Sequence, residues 1–304
     1  MRTLLFFYIV LSLNSYSQTA EEYYNSGYSK YNIDDFTGAI ADFTKAIELK
    51  HDNANTSNAY NNRGLSKYKL QDFTGAIADY NNAIVLNPEY AVAYYNRGTS
   101  KAKLQDFLGA ITDFTEAILL NPEYAEAFYN RGTLKVKLKD YKGAITDFTK
   151  TIILYPEFAD AYVNRGISKA ELQDYIGATV DYTKSIALNP NDSKSYNNRG
   201  LSKYKLQDFE GAIADYTKAI ALNSEYAETY NNRGISKDDL QDFTGAIADY
   251  TKAIAINPEF AEAYFNRGAS KYKLQDLQGA CEDWNRAGEL GIASAYDLRK
   301  KYCQ

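Results

Sequence analysis

Residues able to do covalent or metal chemistry are scarce in this sequence, while those able to do recognition chemistry recur at a fixed interval. One His, two Cys and one Met among 304 residues leave almost no material for a His-based catalytic triad, a Cys/His zinc site or a haem ligand pair. No catalytic residue, metal or cofactor is therefore expected. Asparagine, by contrast, returns at Asn25, Asn62, Asn96, Asn130, Asn164, Asn198, Asn232 and Asn266. A side-chain amide both donates and accepts, so a row of amides can hold the backbone of an extended peptide without selecting its side chains. The competing reading is that each amide bridges neighbouring helices. Arginine follows at Arg63, Arg97, Arg131, Arg165, Arg199, Arg233 and Arg267, each in register with a later aspartate, as Arg97 with Asp113 and Arg131 with Asp147. The net charge of -5 argues against the broad basic surface that nucleic-acid binding needs.

The elements that position these rows are copies of one unit. Asn-Arg-Gly ends at Gly64, Gly98, Gly132, Gly166, Gly200, Gly234 and Gly268, each 34 residues after the last. An earlier copy, Asn-Ser-Gly, ends at Gly27, 37 residues before Gly64, which places three extra residues in a loop around His51 to Thr56. With the glycine as position 8, units begin at Ala20, Ser57, Ala91, Ala125, Ala159, Ser193, Ala227 and Ala261 and cover residues 20–294. A period of this length reads as a stacked repeat array. Each unit carries two helical apolar patterns around a short polar break. In the second unit the helices are expected from about Ala59 to Leu70 and from Phe73 to Leu86, with Gln71 and Asp72 as the turn. Pro88 stops the second helix, since proline cannot continue it. Gly64, Gly75 and Ala76 are expected where two helix backbones approach, beside Tyr60, Phe73 and Tyr80, because a glycine inside a helix costs about 1 kcal/mol against alanine and needs a steric reason. Residues 292–304 read as an extra helix that covers the apolar face of the last unit.

This pattern resembles the tetratricopeptide repeat over residues 20–294. Position 8 is Gly and position 20 Ala in all eight units, position 24 is always aromatic (Phe43, Tyr80, Phe114, Phe148, Tyr182, Tyr216, Tyr250, Trp284), and position 32 is Pro in five. Two positions depart from the family: position 7, usually Leu, is Arg in seven units, and position 11, usually Tyr, is Lys in all eight. The resemblance implies an all-α fold, a right-handed α-solenoid superhelix of stacked antiparallel helix pairs, with the first helix of each pair lining the concave face. It further implies that positions 7 and 11 face the second helix. Cations there replace apolar contacts and need partners, expected as Arg 7 with Asp 23 and as Lys 11 with Asp 16, such as Lys67 with Asp72. A ladder of arginines gripping acidic ligands is the alternative.

Some peptide-binding members of the family use an asparagine ladder at the matching position, which makes Asn62, Asn96, Asn130, Asn164, Asn198, Asn232 and Asn266 candidate peptide contacts. Tyr95, Tyr129 and Phe265, at the variable position 5, are candidate anchors; packing between repeats is their alternative. The family's carboxylate clamp needs Lys at position 5 with Asn at position 9, and no unit has that pair. At position 13, Glu171 and Asp239 interrupt a row of lysines, so a uniform basic groove is not expected.

Residues 1–17 read as a secretory signal peptide: Arg2, an apolar run from Leu4 to Leu13, then small residues Ser15 and Ser17 before Gln18. Because a bilayer span needs roughly 20 apolar residues, no stable membrane insertion is expected once the segment is removed, and the protein is expected in the periplasm or outside the cell. A turn near Gly291 lets Cys281 and Cys303 meet, and in an exported protein a disulfide between them is expected; two buried thiols are the alternative. The function these features favour is a non-catalytic scaffold binding an extended segment of a protein partner in the groove. The alternative is an accessory module of an envelope enzyme or assembly complex. RNA-binding repeats of similar period are disfavoured by the acidic charge, and the capping helix opposes self-assembly at one end.

Overall fold

The computed structural model describes residues 18–49 and 52–303. The expected signal peptide, residues 1–17, and His51 lie outside the described residues. The chain forms two compact units that divide between Ala127 and Phe128. The first contains α1 (Ala20–Asn32), α2 (Phe36–Glu48), α3 (Asn53–Lys69), α4 (Phe73–Leu86), α5 (Ala91–Lys103) and α6 (Phe107–Leu120). Helix α7 (Ala125–Lys137) spans the division. The second continues with α8 (Tyr141–Leu154), α9 (Ala159–Glu171), α10 (Tyr175–Leu188), α11 (Ser193–Lys205), α12 (Phe209–Leu222), α13 (Ala227–Asp239), α14 (Phe243–Ile256), α15 (Ala261–Lys273), α16 (Leu277–Glu289) and α17 (Ala293–Tyr302). Within each unit every helix packs on the next, an all-α solenoid of stacked helix pairs. Among the described residues there is no strand, and no helix is long and apolar enough to cross a membrane.

One short turn builds every pair. After α3, Gln71 adopts a left-handed backbone (φ 63°). Its N–H then donates to the Tyr68 carbonyl at 2.9 Å, and the Asp72 N–H to the Lys67 carbonyl at 2.9 Å, satisfying carbonyls that the helix end would leave open. The Asp72 carboxylate in turn accepts from the Gly75 N–H at 2.8 Å, which caps α4. A single residue thus closes one helix and opens the next.

The glycines serve side chains rather than a backbone crossing. A Cβ on Gly75 would collide with the capping carboxylate of Asp72, and one on Gly64 would lie 2.7 Å from the Tyr80 ring. Position 8 therefore seats the aromatic ring of position 24, which is fully or almost fully buried in each repeat. Burying a large apolar side chain stabilises by about 1.5–3 kcal/mol, and that contribution recurs once per repeat.

The second repeat differs from its expected form. Helix α3 begins at Asn53 rather than near Ala59, because Asp52 accepts from the Asn55 N–H at 2.7 Å and caps it there. Residues 53–56 extend the helix instead of forming a loop. At the other end α17 packs on α16, and the Cα atoms of Cys281 and Cys303 lie 5.7 Å apart, joined by a disulfide. Trp284, Ala287 and Ala295 form the core beneath it, with Tyr302 packed alongside.

Candidate functional site

Positions 7, 11 and 23 build a charge cluster around a buried carboxylate on the side of the first helix of each repeat that meets its partner. In the sixth repeat the Arg199 Nε and Nη2 donate to the two oxygens of Asp215 at 2.9 and 2.6 Å. Lys203 Nζ lies 2.8 Å from the same carboxylate. Arg97 with Asp113 and Arg131 with Asp147 show the same bidentate geometry. Lysine 11 is therefore not the partner of aspartate 16, which is occupied as a helix cap; Lys67 pairs with Asp79 at 2.7 Å.

Each arginine also lies over the aromatic ring at position 4, Tyr196 for Arg199 at 5.5 Å. For Arg63, Arg97, Arg165, Arg199, Arg233 and Arg267 the remaining nitrogen reaches back one repeat, as Arg199 Nη1 does to Thr183 Oγ1 at 3.1 Å and Arg63 Nη1 to Thr44 Oγ1 at 3.0 Å. In the first repeat, with none before it among the described residues, Ser26 stands at position 7 and donates to Asp42 at 2.6 Å. The guanidinium groups are thus fully engaged, which is the geometry of a structural staple and not of a ladder open to acidic ligands.

The asparagine row lies on the opposite side of the same helices, and most of its members tie one repeat to the last. Asn62 Nδ2 donates to the Tyr24 hydroxyl at 2.9 Å, Asn96 to Asn61 Oδ1 at 2.9 Å, Asn164 to the Tyr129 hydroxyl at 3.0 Å, and Asn266 to Asn231 Oδ1 at 3.2 Å. The acceptor is always position 5 of the preceding repeat. Asn130 likewise has a partner. Two members break the pattern. Asn198 faces Val163, which has no acceptor on its side chain, and Asn197, the corresponding acceptor for Asn232, takes its hydrogen bond from Thr229 at 3.0 Å instead. With Asn25, which opens the row and has no earlier repeat to bond among the described residues, these are the amides of the row left without a side-chain partner.

The expected aromatic anchors are packed between helices. Tyr95 lies 5.7 Å from Phe114 and 4.8 Å from Tyr124. Tyr129 lies 5.8 Å from Phe148 and 4.7 Å from Phe158. Phe265 packs on the cluster around Trp284.

Two adjoining clefts open where the row is unbonded. The one between α9 and α11, about 460 Å³, is lined by Ile167, Glu171, Tyr175, Asn198, Leu201 and Lys205. The next, about 260 Å³, shares Leu201 and Lys205 and adds Tyr204, Asn232 and Ile235 from α11 and α13. Their floors combine apolar side chains at position 9 with free amides at position 6. Burial and the nearby Asp239 carboxylate push Tyr204 up to about 12, so its phenol stays protonated at neutral pH. Among the described residues no group of His, Cys, Asp and Glu is placed to hold a metal ion. Sequence reasoning placed the row but not the gap in it; the signal was Val163, the one apolar aliphatic residue at position 5.

Comparison with known proteins agrees with this architecture. Models described as tetratricopeptide repeat match residues 20–53, 95–157 and 193–226, and a model described as TPR repeat matches residues 64–105 and 239–275. Together they span well over half of the sequence, and the chain belongs to the tetratricopeptide repeat family. Among solved structures it is similar to the C-terminal part of a TPR repeat-containing protein from Cytophaga hutchinsonii, at 17% identity and TM-score 0.67 over 80% of this chain and 98% of that one. It is similar to a tetratricopeptide repeat protein from Parabacteroides merdae at 21% identity and TM-score 0.57, over 84% and 99%. YrrB, a TPR protein with an unusual peptide-binding site, matches at 22% identity and TM-score 0.56, over 60% and 95%. At these identities the likeness is one of fold. No curated protein matches the chain.

Proposed function

We propose that this protein is a non-catalytic interaction scaffold that binds an extended segment of a partner protein across α9, α11 and α13. The observation that carries the reading is the pair of adjoining clefts in which Asn198 and Asn232 present unbonded amides above Ile167, Leu201 and Ile235. An extended strand offers a backbone N–H and C=O at each residue and side chains on alternate sides. Amides over an apolar floor complement both. The peptide-binding site of YrrB, a protein of the same fold, supports the class of ligand. Export to the periplasm or beyond belongs to the same proposal; the leader-like residues 1–17 and the Cys281–Cys303 disulfide support it.

The test separates the bonded from the unbonded asparagines. Peptides selected from a random display library against the protein should lose at least about tenfold in affinity on the double variant Asn198→Ala, Asn232→Ala, with its thermal midpoint unchanged; a good hydrogen bond is on the order of 1 kcal/mol. The matching pair Asn96→Ala, Asn266→Ala should lower the midpoint and leave affinity alone. Unchanged affinity in the first variant would remove the clefts from the function.

A further inference from the structure

The clefts are bordered by charges whose sign alternates from helix to helix. Residues four, seven and eleven places apart share one face of an α-helix, so positions 2, 6, 9 and 13 of each odd-numbered helix align. Positions 6 and 9 line the clefts, and position 13 lines them at Glu171 and Lys205. Positions 2 and 13 therefore stand at the two ends of the floor, about 16 Å apart along the axis. On α9 both ends are acidic, Asp160 and Glu171; on α11 both are basic, Lys194 and Lys205; on α13 both are acidic again, Glu228 and Asp239. All six are exposed.

None of the six takes part in an ion pair among the described residues; the ion pairs of these repeats join the Arg, Lys and Asp of positions 7, 11 and 23. Two of the four acidic residues lie beside tyrosines, Glu171 near Tyr141 and Asp239 near Tyr204. The banding is confined to this stretch. In the second and third repeats the same positions are Asn58 with Lys69 and Val92 with Lys103, and in the eighth they are Glu262 with Lys273.

Neighbouring helices pack at roughly 8–10 Å, and three residues of extended chain span about 10 Å. A strand crossing α9, α11 and α13 therefore meets a new band every third residue. A chain passing midway between the two ends of a band lies about 8 Å from each, near the screening length at physiological salt. Each band acts on it from both sides, while the adjacent band has the opposite sign.

We propose that the bound segment carries charges in the order basic, acidic, basic at every third residue, with apolar residues between them. This rests on the groove reading above and adds to it the sequence of the ligand. Three peptides of about nine residues test it: lysine–glutamate–lysine at every third residue in an alanine and leucine background, the reversed glutamate–lysine–glutamate order, and an uncharged version with glutamine at all three places. Fluorescence anisotropy at low and at physiological salt should give the first peptide at least tenfold tighter binding than the second, with the difference shrinking as salt rises. The double variant Lys194→Glu, Lys205→Glu should abolish that preference, and circular dichroism checks that it folds.

Equal binding of all three peptides, still lost on Asn198→Ala with Asn232→Ala, would overturn the charge bands and leave the groove standing. Binding of none of them, while library-selected peptides still bind in the clefts, would likewise overturn the bands alone. If the asparagine variant has no effect on any bound peptide, both proposals fall.

Discussion

On the side of α11 that meets α12, Arg199 and Lys203 converge on Asp215, and the same three residue types occupy the same places in the repeats before and after it. On the opposite side, Lys194 and Lys205 stand where α9 has Asp160 and Glu171 and α13 has Glu228 and Asp239. The first side repeats because its geometry does. Every copy from the second repeat on must pair two cations with one buried carboxylate, since leaving either unpaired is costly. The second side meets solvent, so charge can change sign from one repeat to the next at little cost in stability. The difference teaches where to look for specificity in a repeat array: in departures from the period, and among those, in departures that no packing contact requires.

Substitutions on the uniform side should carry the largest effects. Asp215→Ala leaves Arg199 and Lys203 without their shared partner, and a loss of about 3–5 kcal/mol is expected in urea denaturation; a midpoint equal to wild type would break the distinction between the two sides. Replacing both cysteines with serine opens a cross-link with a sequence separation of 22 and should remove about 2–4 kcal/mol, read by hydrogen exchange as faster opening of α17 first. Gly234→Ala places a Cβ 2.6 Å from the Tyr250 ring, an overpacking expected to cost about 1–3 kcal/mol by thermal scan. Lys205→Ala, on the varied side, should stay within about 0.5 kcal/mol of wild type, and a larger loss would show that the bands are structural. The smallest effect is a gain: Gln207 holds a left-handed backbone (φ 62°), and Gln207→Gly should raise the midpoint slightly, by about 0.5 kcal/mol or less, as relief of that conformation only just exceeds the entropy of the added glycine.

The period made the helix pairs legible, and the family resemblance, by setting positions 7 and 11 toward the second helix, made the Arg97–Asp113 and Arg131–Asp147 pairing legible, because two oppositely charged residues in fixed register on facing helices have few other places to go. The lysine partner was misread because Asp72 and Asp79 both lie within reach of Lys67 on paper; only the turn geometry shows that Asp72 is occupied by the Gly75 N–H. The left-handed residue between the helices of a pair, glutamine in six of the eight repeats, was not legible, since glutamine carries no mark of that conformation as glycine or asparagine would. For the asparagine row, sequence could place the amides on one face but not say which had partners. That depended on the residue one repeat back, where Val163 and the turned-away Asn197 leave the gap.

Within each unit the reach of the arginines into the repeat before them also gives the stack a direction. Peeling a repeat from the N-terminal side exposes a guanidinium that has lost the hydroxyl it donated to, as Arg63 would lose Thr44. Peeling one from the C-terminal side leaves only a threonine hydroxyl, which keeps its bond to its own helix, as Thr217 does to the Ile213 carbonyl at 2.7 Å. A repeat lost from the C-terminal side thus leaves no cation of the remaining array short of a partner. That is the side on which the Cys281–Cys303 bond fastens α17 over α16, so a covalent link closes the end to which no later arginine reaches back.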